Sequence, residues 1–351
     1  MTARTLHRIC GPARGWCNRH LVMDTNTFTG RYRIERVAGN GGMARVWRAT
    51  DTTDGSPVAI KRILDTLSAR QEMCTLFEDE AVITASIRHP NVAAFLEYDL
   101  DAEGPYLALE WIDGLNGHEL MQRRRAPLDV GAGLAVATDL LYALAATHGP
   151  GVGVIHRDVA PSNVILGIDG MTRLIDFGLS RSIARVRLNP AGTAKGKIGY
   201  LPPEVLRGSI HGVRGDLYGA GAVLWELLAG RRIFAGVTRK DQLAHAYLYE
   251  RRPYLRTAAE HVPGGVARVI DRALDLDPSK RPPNALAMIA ELRAAAQEHG
   301  VTPDAESLSR AVLQSRVDTV TDAPEALAAR KRHEPVRATS STRTRGLDVA
   351  V

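Results

Sequence analysis

Two polar clusters set close together near the middle of this 351-residue chain constrain its fold more than any other feature. Ile155-His-Arg-Asp-Val-Ala-Pro-Ser-Asn163 is followed by a Val-Ile-Leu strand pattern, a turn at Gly170 and then Leu174-Ile-Asp-Phe-Gly178. Each cluster embeds charged or amide side chains among apolar neighbours. A protein interior tolerates such groups only when they are paired, hydrogen-bonded or bound to a metal. The chain changes character across this region. Upstream, Arg31–Val37 and Ala44–Ala49 alternate as strands, Asp54-Gly-Ser-Pro57 is a turn, and two more strand patterns fall near 92–99 and 105–111. Residues 71–87 interrupt them with helical spacing at Met73, Leu76, Phe77, Ala81, Ile83 and Thr84. Past Gly114 the patterns are helical, at 130–148, 215–230, 240–250, 264–276 and 284–297. A small β-rich lobe followed by a larger helical lobe is the implied plan, an α+β architecture.

Bulk properties exclude several alternatives. A composition of 45% hydrophobic and 24% charged residues is that of a globular protein. The net charge of +6 comes from Arg and Lys scattered through every segment, which solubilises a protein more often than it marks a nucleic-acid binder. No nucleic-acid or membrane partner is therefore expected. The most apolar stretches, Leu134–Thr147 and Leu217–Ala229, are interrupted by Asp139 and Glu226 and read as buried helices. Cys10, Cys17 and Cys74 form no paired framework, and the N-terminus has no continuous apolar segment, so the expectation is a cytoplasmic protein.

Residues 1–29 carry no clear period and read as an unstructured leader, with Met23 as an alternative start. His7, Cys10, Cys17 and His20 have the residue types for zinc, but their spacing is unusual for a zinc site and no apolar framework surrounds them. The main domain spans 30–297, with its lobes meeting near 113–114. Residues 298–351 read as a short helix within 303–317 and then a disordered tail rich in Arg, Ser and Thr.

The chemistry-bearing motifs run in order. Gly39-Asn-Gly-Gly-Met-Ala-Arg-Val46 lies between two strand patterns, where Gly39, Gly41 and Gly42 would let backbone approach phosphates closely. Val58-Ala-Ile-Lys61 puts one lysine at the end of a buried strand, where it needs an anionic partner, and Glu80 on the following helix is the candidate. Phosphoryl transfer from ATP needs a carboxylate near the acceptor hydroxyl, and oxygen ligands for Mg²⁺. Asp158, Asn163 and Asp176 are of those types, in that order.

With these motifs together, residues from about Tyr32 to Leu292 resemble the bacterial eukaryotic-like (Hanks-type) serine/threonine protein kinases. The resemblance extends to His89-Pro-Asn-Val92, Tyr106–Gly114, Pro203-Glu204, Asp216 and Arg281. It implies a two-lobed protein-kinase fold, ATP with Mg²⁺ (Mn²⁺ as an alternative) and protein substrates; it leaves the oligomeric state open. By the same resemblance Asp158 is the catalytic base, Asn163 and Asp176 bind the metal, and Lys61, paired with Glu80, contacts the α- and β-phosphates. Backbone groups of Glu110 and Ile112 would hold adenine, Leu109 would be the gatekeeper, and Val46, Ala59 and Ile165 would sandwich the ring. Glu204 and Arg281 would form a buried ion pair.

Three departures stand out. The third loop glycine is Ala44, the usual catalytic-loop lysine is Ala160, and Lys197 occupies a position where the family usually has threonine. The last two suggest that Lys197 supplies the missing catalytic cation; the alternative is a solvated Lys197 in a slow or inactive enzyme. Between Phe177 and Pro203 lie Arg181, Arg185, Arg187, Lys195 and Lys197 and no acidic residue. That bias favours autophosphorylation there, with Thr193 preferred over Ser180 and Ser182, Arg157 awaiting the phosphate. A nucleotide-binding pseudokinase is the competing reading, favoured by Ala160 alone.

Overall fold

Strand pleating explains the small lobe. In the computed structural model, which describes residues 27–28, 30–64, 67, 71–101, 103–177, 198–235, 245–246, 249–250 and 252–316, strands β1 (Thr27–Phe28), β2 (Tyr32–Asn40), β3 (Ala44–Asp51), β4 (Pro57–Ile63), β5 (Phe95–Asp101) and β6 (Gly104–Glu110) form one sheet. Its spatial order is β1-β2-β3-β4-β6-β5, antiparallel throughout. Successive side chains on a strand point to opposite faces. Tyr106 and Ala108 of β6 accordingly join Val58 and Ile60 of β4 in one apolar cluster, while Leu107 and Leu109 join Ile63 in another. Lys61 falls on the second face by the same alternation. That face is covered by helix α1 (Gln71–Ser86), whose buried residues Phe77, Glu80, Ala81 and Thr84 follow the spacing of one helical stripe.

The large lobe is built on two apolar helices. Helix α3 (Val130–His148), capped by Asp129, packs against α5 (Val213–Ala229), and the short helix α2 (Gly117–Arg124) comes ahead of both. A second sheet joins β7 (Gly114–Asn116), just before α2, to β8 (Val164–Gly167) and β9 (Thr172–Leu174), which follow α3. Short helix α4 (Pro203–Leu206) precedes α5, and α6 (Leu255–Ala258), α7 (Gly264–Ala273), α8 (Ala285–Gln297) and α9 (residues 305–316) follow it. Trp225 and Tyr218 of α5 and Leu140, Leu141 and Leu144 of α3 are fully buried in this core. By length and composition α3 is apolar enough to cross a membrane, yet most of it is buried among the other elements.

Three differences from the sequence reading have local causes. Sheet pairing reaches before residue 30, because Thr27 and Phe28 pair with Arg33 and Tyr32. The strand read at 92–99 begins at Phe95, because Val92 instead makes a parallel bridge to Leu174. Helix α2 escapes the periodicity because it is short; a capping box fixes its start, Asn116 accepting from Glu119 N while Glu119 accepts from Asn116 N. The helix pattern at 240–250 is described only in part. The rest of the leader, with its His and Cys residues, and the tail from 317 lie outside the described residues.

Candidate active site

The cleft between the lobes collects most of the residues singled out above. Lys61 Nζ is 2.5 Å from Glu80 Oε1 and 2.7 Å from Asp176 Oδ1. Lys61 and Glu80 are 3% and 1% exposed, so the ammonium sits buried between Glu80 and Asp176, whose own side chain opens toward the cleft at 37% exposure. Burial opposes its charge, but Asp176 and then Glu80 outweigh that and hold its pKa above the usual lysine value. Glu80 Oε2 is buried without a hydrogen-bond partner. Asp176 and Arg157 have φ of 66° and 67°, a left-handed conformation rare for residues with side chains, and strain of this kind clusters at functional sites.

Below them lies the loop bearing Asp158. Asn163 Nδ2 donates to both Asp158 O and Asp158 Oδ2, each at 2.8 Å. The two hydrogen bonds fix the Asp158 carboxylate against its own loop, while Asn163 Oδ1 accepts from Ser162 Oγ at 3.3 Å. Asn163 O in turn accepts from Ile175 N at 3.0 Å, so the residue preceding Asp176 is tied to the same loop. Asn163 and Asp176 thus offer an amide and a carboxylate oxygen, a donor set suited to a hard divalent cation that completes its shell with water and phosphate.

Asp216, fully buried at the start of α5, anchors the loop from below. It accepts from His156 N at 2.7 Å, Arg157 N at 2.8 Å, His148 Nε2 at 2.8 Å and His211 Nε2 at 3.0 Å. Burial pushes its pKa up, but the histidine hydrogen bonds, from His148 and then His211, bring it well below the usual carboxylate range. His156 is itself buried; its Nε2–H donates to Ile175 O at 3.0 Å and its Nδ1 accepts from Asp158 N at 3.2 Å. Only the neutral ring satisfies both, and burial lowers its pKa. Sequence reasoning misses His148 and His211, because single histidines in unrelated segments carry no local signal.

The remaining residues frame the slot. Val46, Ala59 and Ile165 are half-buried and Leu109 is buried, with Ala59 opposite Leu109 in the sheet register. Glu110 N donates to Ala94 O at 2.9 Å, so an adenine contact at Glu110 would fall to its carbonyl. In the glycine hairpin Gly41 N donates to Ala44 O at 2.8 Å. A Cβ at Gly39 or Gly42 would meet nothing within 4 Å, so packing does not demand glycine there, whereas close approach of phosphate would. Ala160 is 1% exposed and presents no cation. Glu204 and Arg281 form a two-pronged ion pair, with 2.7 Å in each prong. Asn91 Nδ2 donates to Thr172 O and Asn91 O accepts from Leu174 N, joining the segment after α1 to β9. Lys197, Thr193, Ser180, Ser182 and the other activation-segment cations lie outside the described residues.

A buried lysine shared by two carboxylates, above an asparagine-held aspartate and between a β-rich and a helical lobe, defines a kinase-type phosphoryl-transfer cleft. The pattern of the family described as "Protein kinase domain" matches residues 32–292, and the chain belongs to that family. It is 30% identical over 276 residues to the serine/threonine-protein kinase PknL of Mycobacterium tuberculosis, covering 79% of this chain and 68% of that one. It is 31% identical over 270 residues to PrkC of Bacillus subtilis, covering 76% of this chain and 41% of that one. Among solved structures, the PknI kinase domain of Mycobacterium tuberculosis aligns with a TM-score of 0.58 at 22% identity, over 79% of this chain and all of that one. The chain is a serine/threonine protein kinase of the bacterial Hanks type, using ATP.

Proposed function

We propose that this kinase acts on protein serine and threonine hydroxyls through Asp158, with Lys61 holding the α- and β-phosphates and Glu80 holding Lys61. The observation that carries this reading is the single buried ammonium within hydrogen-bond distance of both Glu80 and Asp176. Asp158, held by Asn163, is suited to orient the acceptor hydroxyl and take its proton. Asn163 and Asp176 are the ligands we assign to Mg²⁺ or Mn²⁺. The ion, when bound, supplies charge neutralisation at the phosphate oxygens. Gly39, Gly41 and Gly42 cover the phosphates, and Glu110, Ile112, Val46, Ala59 and Ile165 receive the base. We assign the protein to the cytoplasm, from its cysteine content and unlocalised charge.

The test is transfer of the ATP γ-phosphate to the chain itself and to a generic acidic protein, beside Asp158→Asn. Incorporation that disappears in the variant supports catalysis; retained ATP binding with no incorporation by the wild type would establish a binding-only protein. The absence of a cation at buried Ala160 leaves a place for Lys197 in stabilising the transferring phosphoryl group. Lys197→Met is therefore expected to lower the turnover number about a hundredfold or more; near-wild-type turnover would dismiss that role. Phosphopeptide mapping should find Thr193 modified in active enzyme, and active enzyme unmodified throughout 178–203 would reject it.

A further inference from the structure

Helix α9 lies beyond the segment matched to the kinase family, yet it is seated in the core of the large lobe. Leu308 and Val312 are fully buried there, and Ala311 and Ser315 nearly so. The helix is also tied to the β8–β9 turn and to Asp113. Ser309 Oγ donates to Ile168 O at 2.5 Å, in the turn between β8 and β9. Ile168 N donates to Asp113 O at 2.9 Å, where the chain leaves the segment joining the lobes. Arg316 Nη1 reaches the carboxylate of that same Asp113 at 2.8 Å. The step from Ser309 to Arg316 is close to two full turns, so one face of the helix presents both. The turn itself is shaped to the helix: Gly170 has φ of 75°, and a Cβ there would lie 2.2 Å from Ala305 O.

These contacts close a circuit from α9 to the β8–β9 turn, from that turn to Asp113, and from Asp113 back to α9. The β8–β9 hairpin carries Ile165 in its first strand, with Asn163 just before it and Asp176 just after it. Asp113 immediately follows Ile112 and lies close after Glu110. The geometry points to α9 as a clamp that sets the spacing between the Ile165 floor and the 110–113 edge of the adenine slot, making Ser309 and Arg316 positioning residues for nucleotide binding. The inference rests on the nucleotide-cleft reading above and adds a control element to it from outside the family's domain.

Equilibrium ATP binding by the full chain, with and without Mg²⁺, tests this, together with the KM for ATP and the turnover number. Leu308→Asp combined with Val312→Asp releases the helix, and hydrogen exchange across 305–316 verifies the release. The dissociation constant and the KM for ATP should rise about 3- to 10-fold, the scale of one or two lost hydrogen bonds, with turnover changed less than about twofold. Ser309→Ala should give the smaller part of that rise and Ser309→Thr should restore it, a rescue that a purely packing role would not produce. Should the double variant not fold, Ser309→Ala, Ser309→Thr and Arg316→Ala decide the matter by the same constant. ATP affinity unchanged in a released or Ser309→Ala chain overturns the clamp alone. A wild-type chain that binds no ATP overturns the cleft reading and the clamp with it.

Discussion

Asp216 and Glu80 are both almost completely buried, one under the catalytic loop in the large lobe and the other behind the cleft in the small lobe, yet their hydrogen-bonding is opposite. Asp216 receives two backbone N–H groups and two imidazole N–H groups, which fills the acceptor capacity of a carboxylate. Glu80 has one cationic partner, itself shared with Asp176, and one oxygen with no hydrogen bond. A saturated carboxylate has no better arrangement to move to and works as scaffold. One ammonium divided between two carboxylates can be re-partitioned at little cost when a phosphate arrives. The large lobe thus holds Asp158 rigidly, while the small lobe keeps its charges ready to re-pair.

The comparison can be broken most sharply at Asp216. Asp216→Ala would strand four buried donors and should cost about 3–5 kcal/mol in denaturant unfolding, with activity lost alongside. Asp216→Asn should rescue little, because one end of the amide becomes a donor facing donors. A loss below about 1 kcal/mol would show that the anchor is not saturated in solution. At Glu80 the balance should reverse. Glu80→Gln should lower kcat/KM about 10- to 100-fold, the scale of one charge-assisted hydrogen bond, with a smaller stability change than at Asp216. Equal stability losses at the two sites would erase the distinction.

A smaller, pH-dependent effect belongs to the large lobe. His156 is buried neutral, with its folded pKa below the ordinary 6.5. The unfolded chain therefore binds the extra proton first, so stability is full above about pH 6.5 and declines as pH falls below it, by at most about 1.4 kcal/mol per pH unit. Asp216 adds a second decline in the same direction below its ordinary 3.8, since its folded pKa is depressed. Unfolding midpoints measured from about pH 7.5 to about pH 5 should fall in the wild type, and less steeply in His156→Gln. Identical slopes would remove His156 from the account.

Legibility differs between motif and contact. Lys61 is readable because it ends an apolar run, and Glu80 because it interrupts the stripe formed by Phe77, Ala81 and Thr84. Asp158, Asn163 and Asp176 are readable as residue types in a fixed order. His148 and His211 are not, since they reach Asp216 from 68 and 5 positions away with no pattern linking them. The helical spacing within 303–317 is visible, but nothing in it announces contact with Ile168, which is 141 positions from Ser309.

Local sequence pattern accounts for the alternation that sends Lys61 to the face covered by α1, the order of the oxygen-bearing side chains and the loss of a cation at Ala160. These are local properties, written in the two-residue period of strands and the roughly 3.6-residue period of helices. Tertiary packing alone sets which histidines complete Asp216, how the Lys61 charge is divided between Glu80 and Asp176, and that α9 reaches the β8–β9 turn. Each of those depends on distances between segments far apart in the chain, which are set by how the lobes pack around their cores and leave no trace in the local pattern.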